Sequence, residues 1–267
     1  AEPGAMMRDR PGVARCAAVI PAYNEASTIA DLVRRVRAQV AHVIVVDDGS
    51  DDGTDRALAG LDVRLLRHRR NRGKGASLLT GLSAARAAGF DAAVTLDADG
   101  QHRPRDIPRL LRRAEPRTLV LGCRMAEAHR MPRSRRTGNR IASFFVSWAA
   151  GRRIADSQNG FRIYPTALLD ALDLPARRRG FVFESEVLIE AARHGFEIAE
   201  VAVPAIYAAR PVRRSYFRPV VDTLAITGMI AGKLLARGLA PAALLRTLRQ
   251  RPLAAAAPPG TGHLDDH

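Results

Sequence analysis

Short apolar runs alternate with amphipathic stretches through the first hundred residues. The apolar runs predict buried strands at 16–21, 42–46, 63–66 and 92–96. After Ser27, a candidate N-cap, Ile29, Leu32, Val33 and Val36 recur at helical spacing, and further helices are predicted at 54–61 and from 71–75 to about 88. Strands that alternate with helices predict an α/β fold, with a mostly parallel central sheet covered by helices on both faces.

The pattern changes after about residue 110. A strand is predicted at 119–122, and residues 124–140 follow as a polar loop that leads to a helix at 141–150. A glycine-containing turn at 156–162 comes next, then a segment at 181–186 that precedes a helix at 187–194 and a strand at 198–203. From 216 to 251 the pattern is helical, with Arg and Lys at the polar positions.

The net charge of the chain indicates which kinds of molecule it would bind. The chain holds 42 Lys and Arg against 27 Asp and Glu, a formal net charge of +15. Such an excess favours nucleic acid, acidic lipid surfaces or phosphorylated substrates, without choosing among them. The two cysteines form neither a metal-ligand spacing nor a disulfide framework, so we expect a protein of the reducing cytoplasm.

Oxygen-bearing side chains follow the predicted strands. Asp97, Asp99 and Gln101 come directly after the fourth strand, where carboxylate and amide oxygens suit Mg²⁺ or Mn²⁺. A plain polar turn is the alternative for this segment. Glu25 follows the first strand, and Asp47 and Asp48 close the second, so these loops should open on one crevice at the carboxyl edge of the sheet.

Other residues in these loops suit a nucleotide. Pro21 stiffens a loop and Tyr23 offers an aromatic face for a base, while Glu25 and Asp48 can accept hydrogen bonds or serve only as turn and capping residues. Lys74 is able to reach a phosphate, although residues 71–75 could simply begin a helix. The segment lacks the G-x-x-x-x-G-K-[ST] spacing of an NTPase loop.

These motifs together resemble one family. Residues 20–25 (IPAYNE), 46–54 (VDDGSDDGT), 71–75 (NRGKG) and 97–102 (DADGQH), followed by 156–162 and 183–186, resemble the family-2 inverting glycosyltransferases, in particular the dolichol-phosphate mannose synthase and polyprenyl-phosphate glycosyltransferase group. The resemblance implies an A-type glycosyltransferase fold, which is Rossmann-like, with a C-terminal helical extension. It implies a catalytic domain at 15–210. Around this domain the sequence predicts a flexible N-terminus at 1–14, a basic amphipathic extension at 211–251 and a disordered tail at 252–267, which is rich in Ala, Pro and Gly.

The resemblance also implies roles for residues. Nucleotide binding falls to Pro21, Tyr23, Glu25, Asp47, Asp48, Lys74 and Asp97, and Asp97, Asp99 and Gln101 would hold Mg²⁺ or Mn²⁺ against the donor diphosphate. Arg124, Arg133 (with Arg135), Arg136 and Arg162 would bind acceptor or donor phosphate. The catalytic candidates are Asp99, Glu184 and Asp156. If the acceptor is a hydroxyl, Asp156, Glu184 or Glu186 must take its proton, with Glu184 favoured; the alternative for all three is an ion pair with neighbouring arginines.

The predicted activity is metal-dependent, inverting transfer of a sugar from a nucleotide diphosphate sugar to a lipid-linked phosphate. Residues 158–162 resemble the glucosyl-transferring members, which favours a UDP-sugar over GDP-mannose. A soluble hydroxyl acceptor is one alternative, and a nucleic-acid-binding protein is another, against which stands the lack of interleaved aromatics and basic strands. The extension at 211–251 either rests on the inner face of the cell membrane or packs on the protein or on another subunit, and the oligomeric state stays open. No window is apolar enough to span a bilayer.

Overall fold

A computed structural model describes the protein at residues 15–172, 182–206 and 219–250, without the side chains of 219–223. The predicted flexible N-terminus at 1–14, the tail at 252–267 and the basic start of the extension at 211–218 lie outside the described residues.

A seven-stranded mixed sheet forms the centre of the protein, in the order β3-β2-β1-β4-β6-β5-β7. The strands are β1 (Cys16–Ala22), β2 (His42–Asp47), β3 (Arg64–Arg67), β4 (Ala92–Thr95), β5 (Thr118–Cys123), β6 (Arg162–Pro165) and β7 (Glu197–Ala202). Only β6 runs antiparallel, to β4 on one side and to β5 on the other. Because β1 pairs in parallel with both β2 and β4, the carboxyl ends of these three strands lie side by side.

Nine α-helices lie within the described residues: α1 (Ile29–Arg37), α2 (Thr54–Ala57), α3 (Lys74–Ala87), α4 (Ile107–Leu111), α5 (Arg133–Ala150), α6 (Ala167–Ala171), α7 (Val182–Arg193), α8 (Pro219–Leu235) and α9 (Pro241–Arg249). Strand residues alternate between two apolar cores, as the pleat requires. Val19 of β1 joins α3, α5, α7 and α8 in one core, and Ile20 joins α1 and α4 in the other. The predicted two-sided cover of the sheet is confirmed.

Helix α3 lies unusually close to the sheet because of Gly81. A Cβ at this position would overlap a methyl group of Val19 in β1 and lie 3.1 Å from one of Val46 in β2. The missing side chain therefore allows close contact between helix and strands. It fixes the position of Lys74, the first residue of α3, relative to the carboxyl edge of the sheet.

Three sequence predictions about element boundaries need correction. Thr28, and not Ser27, is the N-cap of α1. The predicted polar loop at 124–140 is helical from Arg133 onward, because α5 begins there. The segment at 181–186 lies within α7 from Val182, so Glu184 and Glu186 belong to the first turns of that helix.

The described part of the extension packs on helices α5 and α7. Helix α8 contacts α7, where Lys233 lies 3.2 Å from Glu186 and close to Glu190. Helix α9 packs along α5, and the Thr247 hydroxyl donates to the Ser147 carbonyl at 3.2 Å. Of the two arrangements considered for the extension, packing on the protein holds for α8 and α9. Within the described ranges, no helix combines the length and apolarity needed to cross a bilayer.

Candidate active site

The loops that follow β1, β2 and β4 meet at one edge of the sheet. The Asn24 amide after β1 donates to the Ser50 hydroxyl after β2 at 2.8 Å. Thr28, at the start of α1, donates to the Ala98 carbonyl after β4 at 3.4 Å. The loops predicted to open on one crevice are therefore brought together at this edge and tied to one another by hydrogen bonds.

Lys74 joins two carboxylates in this crevice. Its ammonium lies 2.6 Å from Asp97 Oδ1 and 3.0 Å from Glu184 Oε2. Burial alone would lower the pKa of Lys74, but the charges of Asp97 and Glu184 hold it above its ordinary value. Burial would likewise raise the pKa of Asp97, yet the charge of Lys74 and its hydrogen bond to the carboxylate keep that pKa below its ordinary value. Lys74 and Asp97 are therefore both charged at neutral pH.

Gly160 is the residue that makes room for this group. A Cβ there would lie 2.7 Å from Asp97 Oδ2 and 2.9 Å from Lys74 Nζ, closer than real Cβ atoms come to other heavy atoms. The turn after Asp156 therefore presses its backbone directly against the Asp97–Lys74 pair. The sequence signal for this role was the glycine in the 156–162 turn, which the prediction treated only as a turn residue.

Asp99 and Gln101 lie on the open side of the same loop. Asp99 is exposed, and its Oδ1 accepts a hydrogen bond from the Gln101 amide at 2.9 Å. Although the residue as a whole is exposed, partial desolvation of its carboxyl group by the surrounding loop, together with the negative charge of Asp97, raises the pKa of Asp99. Two carboxylates that repel one another are a pair that a divalent cation would favour.

Within the described ranges, no three or more His, Cys, Asp or Glu side chains are grouped so that they could bind a metal ion together. Mg²⁺, however, is usually held by only one or two carboxylates together with substrate phosphates. The donor set of Asp97, Asp99 and the Gln101 amide therefore fits a cation that binds with a diphosphate, although the Lys74 ammonium already neutralises Asp97.

A buried histidine braces the Asp97 loop. His102 Nδ1 accepts from the Asp97 amide at 3.1 Å, and its Nε2 therefore carries the proton and contacts Asn159 Oδ1 at 3.0 Å. Asn159 in turn donates to the Gly122 carbonyl at the end of β5, at 2.7 Å. Burial lowers the pKa of His102, which agrees with this neutral form. The structure thus links β4, β5 and the 156–162 turn through two side chains that sequence reasoning quoted in motifs but gave no role.

The predicted nucleotide-binding carboxylates after β2 bind protein groups. Asp47 is fully buried, accepts from the Ser50 amide at 2.9 Å and pairs with Arg67. Asp48 accepts from the Arg72 and Gly73 amides at 2.9 and 2.7 Å. Both side chains therefore shape the loops that precede α2 and α3.

The predicted nucleotide residues of the first loop lie around the end of β1. Pro21 is part of β1, and Tyr23 and Glu25 follow it, all three partly buried. The Glu25 amide donates to the Thr54 hydroxyl at 2.8 Å, and its carboxylate accepts from Thr28 at 3.1 Å. These contacts tie Glu25 to the loops at the carboxyl edge of the sheet, and the binding role of all three residues stays a prediction.

The buried carboxylate of Asp156 forms a bidentate ion pair with Arg124. Arg124 Nε and Nη2 lie 2.8 and 2.9 Å from the two carboxylate oxygens, and the Arg124 amide donates to Oδ2 at 3.0 Å. Asn139 of α5 donates to Oδ1 at 2.8 Å. Burial would raise the pKa of Asp156, but these hydrogen bonds and the Arg124 charge hold it below its ordinary value. The geometry favours the ion-pair alternative for Asp156, in which it orients Arg124.

Arg162 is fully buried in β6 and donates to three backbone carbonyls. Its partners are Asn159, Glu184 and Ser157, at 2.7, 2.8 and 2.7 Å. It therefore joins the 156–162 turn to the first turn of α7, and so fixes the backbone of Glu184 beside Lys74. Arg133 and Arg136 lie on the first turns of α5, exposed and half-buried respectively, where a phosphate could reach them.

Comparison with known proteins shows which family the chain matches. Residues 17–171 match the family model described as glycosyl transferase family 2. A UDP-N-acetylglucosamine–dolichyl-phosphate N-acetylglucosaminyltransferase from Methanococcus voltae is 32% identical over 212 residues, which cover 71% of this chain and 84% of that protein. An undecaprenyl-phosphate mannosyltransferase from Micrococcus luteus is 32% identical over 200 residues, covering 71% and 82%.

A solved structure shares the fold. Glucosyl-3-phosphoglycerate synthase from Mycobacterium tuberculosis, crystallised with Mn²⁺, UDP and glucosyl-3-phosphoglycerate, superposes with a TM-score of 0.57 at 23% identity. The match covers 84% of this chain and 79% of that one. At this identity the likeness concerns the fold, and the predicted A-type glycosyltransferase architecture is confirmed.

Proposed function

The chain belongs to glycosyl transferase family 2, and we propose that it transfers a sugar from a nucleotide diphosphate sugar to a polyprenyl phosphate. The family prediction and the assignment as a glycosyltransferase are confirmed by the family match and by the relatives. Both relatives are named for transfer to a polyprenyl phosphate, which supports a lipid-phosphate acceptor for this chain. The Methanococcus voltae enzyme is named for a UDP-sugar donor, which supports the preference for UDP.

The observation that carries the donor assignment is the packing of Asp97, Lys74 and Glu184 around Gly160. A cation beside a carboxylate, at the carboxyl ends of parallel strands, is where a diphosphate and its sugar would bind. In this proposal Lys74 holds an oxygen of the diphosphate or the sugar. Tyr23, Glu25 and Pro21 line the side of the crevice that takes the nucleoside.

Mg²⁺ or Mn²⁺ would be held by Asp97, Asp99 and Gln101. Bound there, the ion would neutralise the charge that develops on the departing nucleotide diphosphate. The residues of the chain prepare the site for it: His102 and Asn159 fix the backbone of the loop, and Gly160 limits the directions in which the Asp97 carboxylate can turn.

The arginines that would bind the acceptor phosphate can be chosen by asking which arginines already bind other groups of the protein. Arg124 is held by Asp156, and Arg162 by backbone carbonyls, so both act in positioning. Arg133 and Arg136 at the start of α5 are the proposed ligands of the acceptor phosphate, because a guanidinium fork matches phosphate oxygens. A phosphate nucleophile is already anionic near neutral pH and requires no strong general base. It would attack in line, from the face opposite the departing diphosphate.

The test is a transfer assay with undecaprenyl phosphate. Radiolabelled UDP-N-acetylglucosamine, UDP-glucose and GDP-mannose are supplied with Mn²⁺ or Mg²⁺, and the product is measured in the organic phase. We expect labelled lipid with one UDP-sugar and a loss on the order of a thousandfold in Asp99→Ala. Asp91→Ala is the matched control, because Asp91 stands at the amino end of the same strand, where it accepts from Arg15. Label that never enters lipid with any donor would contradict the proposal.

A soluble hydroxyl acceptor remains the second candidate, and one observation favours it. Glu184 Oε1 is buried and has no hydrogen-bond partner among the described residues. A buried acceptor without a partner costs about 1–3 kcal/mol, so a substrate hydroxyl would be a suitable donor to it. In that reaction Glu184 would take the hydroxyl proton, and transfer would proceed without lipid.

A further inference from the structure

Helix α5 carries large apolar residues on its outward side as well as in the core. Its outward residues Ile141, Phe144, Phe145 and Trp148 recur at i, i+3, i+4 and i+7, and we call them the α5 face. Ile141 is 55% exposed, the two phenylalanines are 39% exposed, and Trp148 is half-buried. The inward residues are partly polar and partly apolar, and all are buried: Asn139, Ser143, Val146, Ser147 and Ala149. A helix at a protein–water surface places apolar residues inward, so this one is built for an apolar neighbour outside.

The rings of the α5 face contact one another. Phe144 and Phe145 meet edge to face with ring centroids 5.4 Å apart, and Phe145 lies 6.3 Å from Trp148. The Trp148 indole donates to the carbonyl of Leu239 at 3.0 Å, and Leu239 is 50% exposed in the turn between α8 and α9. The aromatic surface therefore extends to a second exposed apolar residue. Because the indole N–H is already bonded inside the protein, an apolar medium that covers the ring leaves no donor unpaired.

The charge next to this surface selects its partner. Residues 133–150 contain four arginines and no Asp or Glu, and residues 237–250 contain three arginines and no Asp or Glu. Two copies of the chain that met through this surface would bring like charges together, which opposes association. An anionic bilayer offers both an apolar interior and negative headgroups. Charge and apolarity together favour a membrane over a second copy.

We propose that the α5 face, together with Leu239, is a docking surface for an anionic membrane. The aromatic side chains enter the headgroup region, and the arginines at the start of α5 meet lipid phosphates. Docking in this way brings Arg133 and Arg136 to the bilayer surface, where the phosphate of a lipid acceptor lies. The choice of a lipid partner rests in part on the proposed function. The surface overlaps the one expected at 211–251 only at Leu239, since its other residues belong to α5.

Vesicle flotation with the full chain tests the proposal. We expect binding to vesicles of phosphatidylglycerol and phosphatidylcholine, little binding to phosphatidylcholine alone, and weaker binding at high salt. Phe144→Ser combined with Phe145→Ser should lower the partition coefficient on the order of tenfold, from the apolar area left unburied. Arg140→Gln, which lies outside the proposed active site, should lower it about fivefold, from about 1 kcal/mol per basic residue. Leu65→Ser is the matched control, because Leu65 is an exposed leucine on the edge strand β3.

Three results would overturn the docking surface. The wild-type chain could fail to float with anionic vesicles, or the double variant could float as the wild type does. Sedimentation velocity could also show a wild-type dimer that the double variant lacks, which would make the α5 face an interface between copies. Thermal unfolding checks that the double variant is folded, and Ile141→Ser, at the most exposed position of the α5 face, provides an independent variant.

The test separates docking from sugar transfer. Vesicles without polyprenyl phosphate report docking alone, and acceptor dispersed in detergent reports transfer alone. Vesicle binding without any transfer would contradict the proposed function and leave the docking surface in place. Transfer in detergent without vesicle binding would support the proposed function and contradict the docking surface.

Discussion

Gly160 and Asp97 approach at a distance that leaves no room for a side chain between them. The contact joins the turn after Asp156 to the loop after β4, two segments about sixty residues apart in the chain. Such an approach is invisible in the sequence, where a glycine in a turn usually indicates only backbone freedom. The carboxylates of the 97–101 loop could be predicted as a site from their place after a strand, but Gly160 could not.

Gly160→Ala tests this contact. The added methyl meets only the ends of the Asp97 and Lys74 side chains, so we expect the fold to be retained while both groups move away. The Mn²⁺-dependent affinity for UDP, measured by calorimetry, should fall at least tenfold, the equivalent of about 1.4 kcal/mol. Gly138→Ala is the control: a Cβ there meets nothing within 4 Å, so binding should be unchanged and α5 should gain about 0.5–1 kcal/mol. Equal affinity in wild type and Gly160→Ala would refute the role of Gly160.

Asp156→Asn tests the buried pair with Arg124 through its pH dependence. The pKa of Asp156 is held below its ordinary value of 3.8 by Arg124 and Asn139, against the effect of burial. Its ionised form therefore stabilises the fold at pH values above the unfolded pKa, and this contribution is lost as the pH falls through the folded pKa. At pH 7 the variant leaves Arg124 without its carboxylate, at a cost of about 3–5 kcal/mol.

Urea unfolding at several pH values between 7 and 3 provides the measurement. The free-energy difference between wild type and Asp156→Asn should be constant down to about pH 5 and should shrink below about pH 4. A difference that stays the same through this range would mean that the charge of Asp156 is not what stabilises the pair.

At the scale of elements, the start of α5 shows where the hydrophobic pattern misleads. Residues 133–140 hold four arginines and no large apolar residue, so they were predicted as a loop. The helix is instead anchored by polar contacts, since Asn139 donates to Asp156 and Ser143 to Asn139. Periodicity detects helices that pack through apolar faces. It does not detect one whose inward face is hydrogen-bonded.

Strand β6 was missed for a related reason. It is four residues long, begins with the buried Arg162, and pairs antiparallel with β4 and β5. Its place depends on partners distant in the chain, and no local pattern of its four residues indicates them. The strands β1, β2, β3, β4, β5 and β7, by contrast, were predicted within two residues of their observed ends, because each lies in an apolar run bounded by polar residues.

The contact between His102 and Asn159 couples two of these elements and can be measured. His102→Ala leaves the Asp97 amide without its side-chain acceptor and removes one of the two donors to Asn159 Oδ1. Asn159→Ala removes the side-chain donor to the Gly122 carbonyl. Each change should lower the free energy of unfolding by about 1–3 kcal/mol. The double variant should lose less than the sum, by about 1 kcal/mol, in urea denaturation. Strictly additive losses would show that the two side chains do not act as one unit.

At the scale of the molecule, the order of the strands determines the site. Because β2, β1 and β4 are neighbours and parallel, the loops with Glu25, Asp48 and Asp97 converge on one edge. The alternation of strands and helices was enough to predict this arrangement. The sequence did not indicate that Asp48, Asp156 and Arg162 form hydrogen bonds with other groups of the protein. A motif shows which side chains are present, but it does not show which partners they bind.

The most direct test of the account is calorimetric titration of UDP into the full chain, with and without Mn²⁺, for the wild type, Asp99→Ala and Asp91→Ala. We predict tight binding only with Mn²⁺ in the wild type and in Asp91→Ala, and at least a tenfold loss of the Mn²⁺-dependent affinity in Asp99→Ala. UDP binding that is indifferent to Mn²⁺, or equal in all three proteins, would contradict a site in which the loop after β4 holds the diphosphate through a cation.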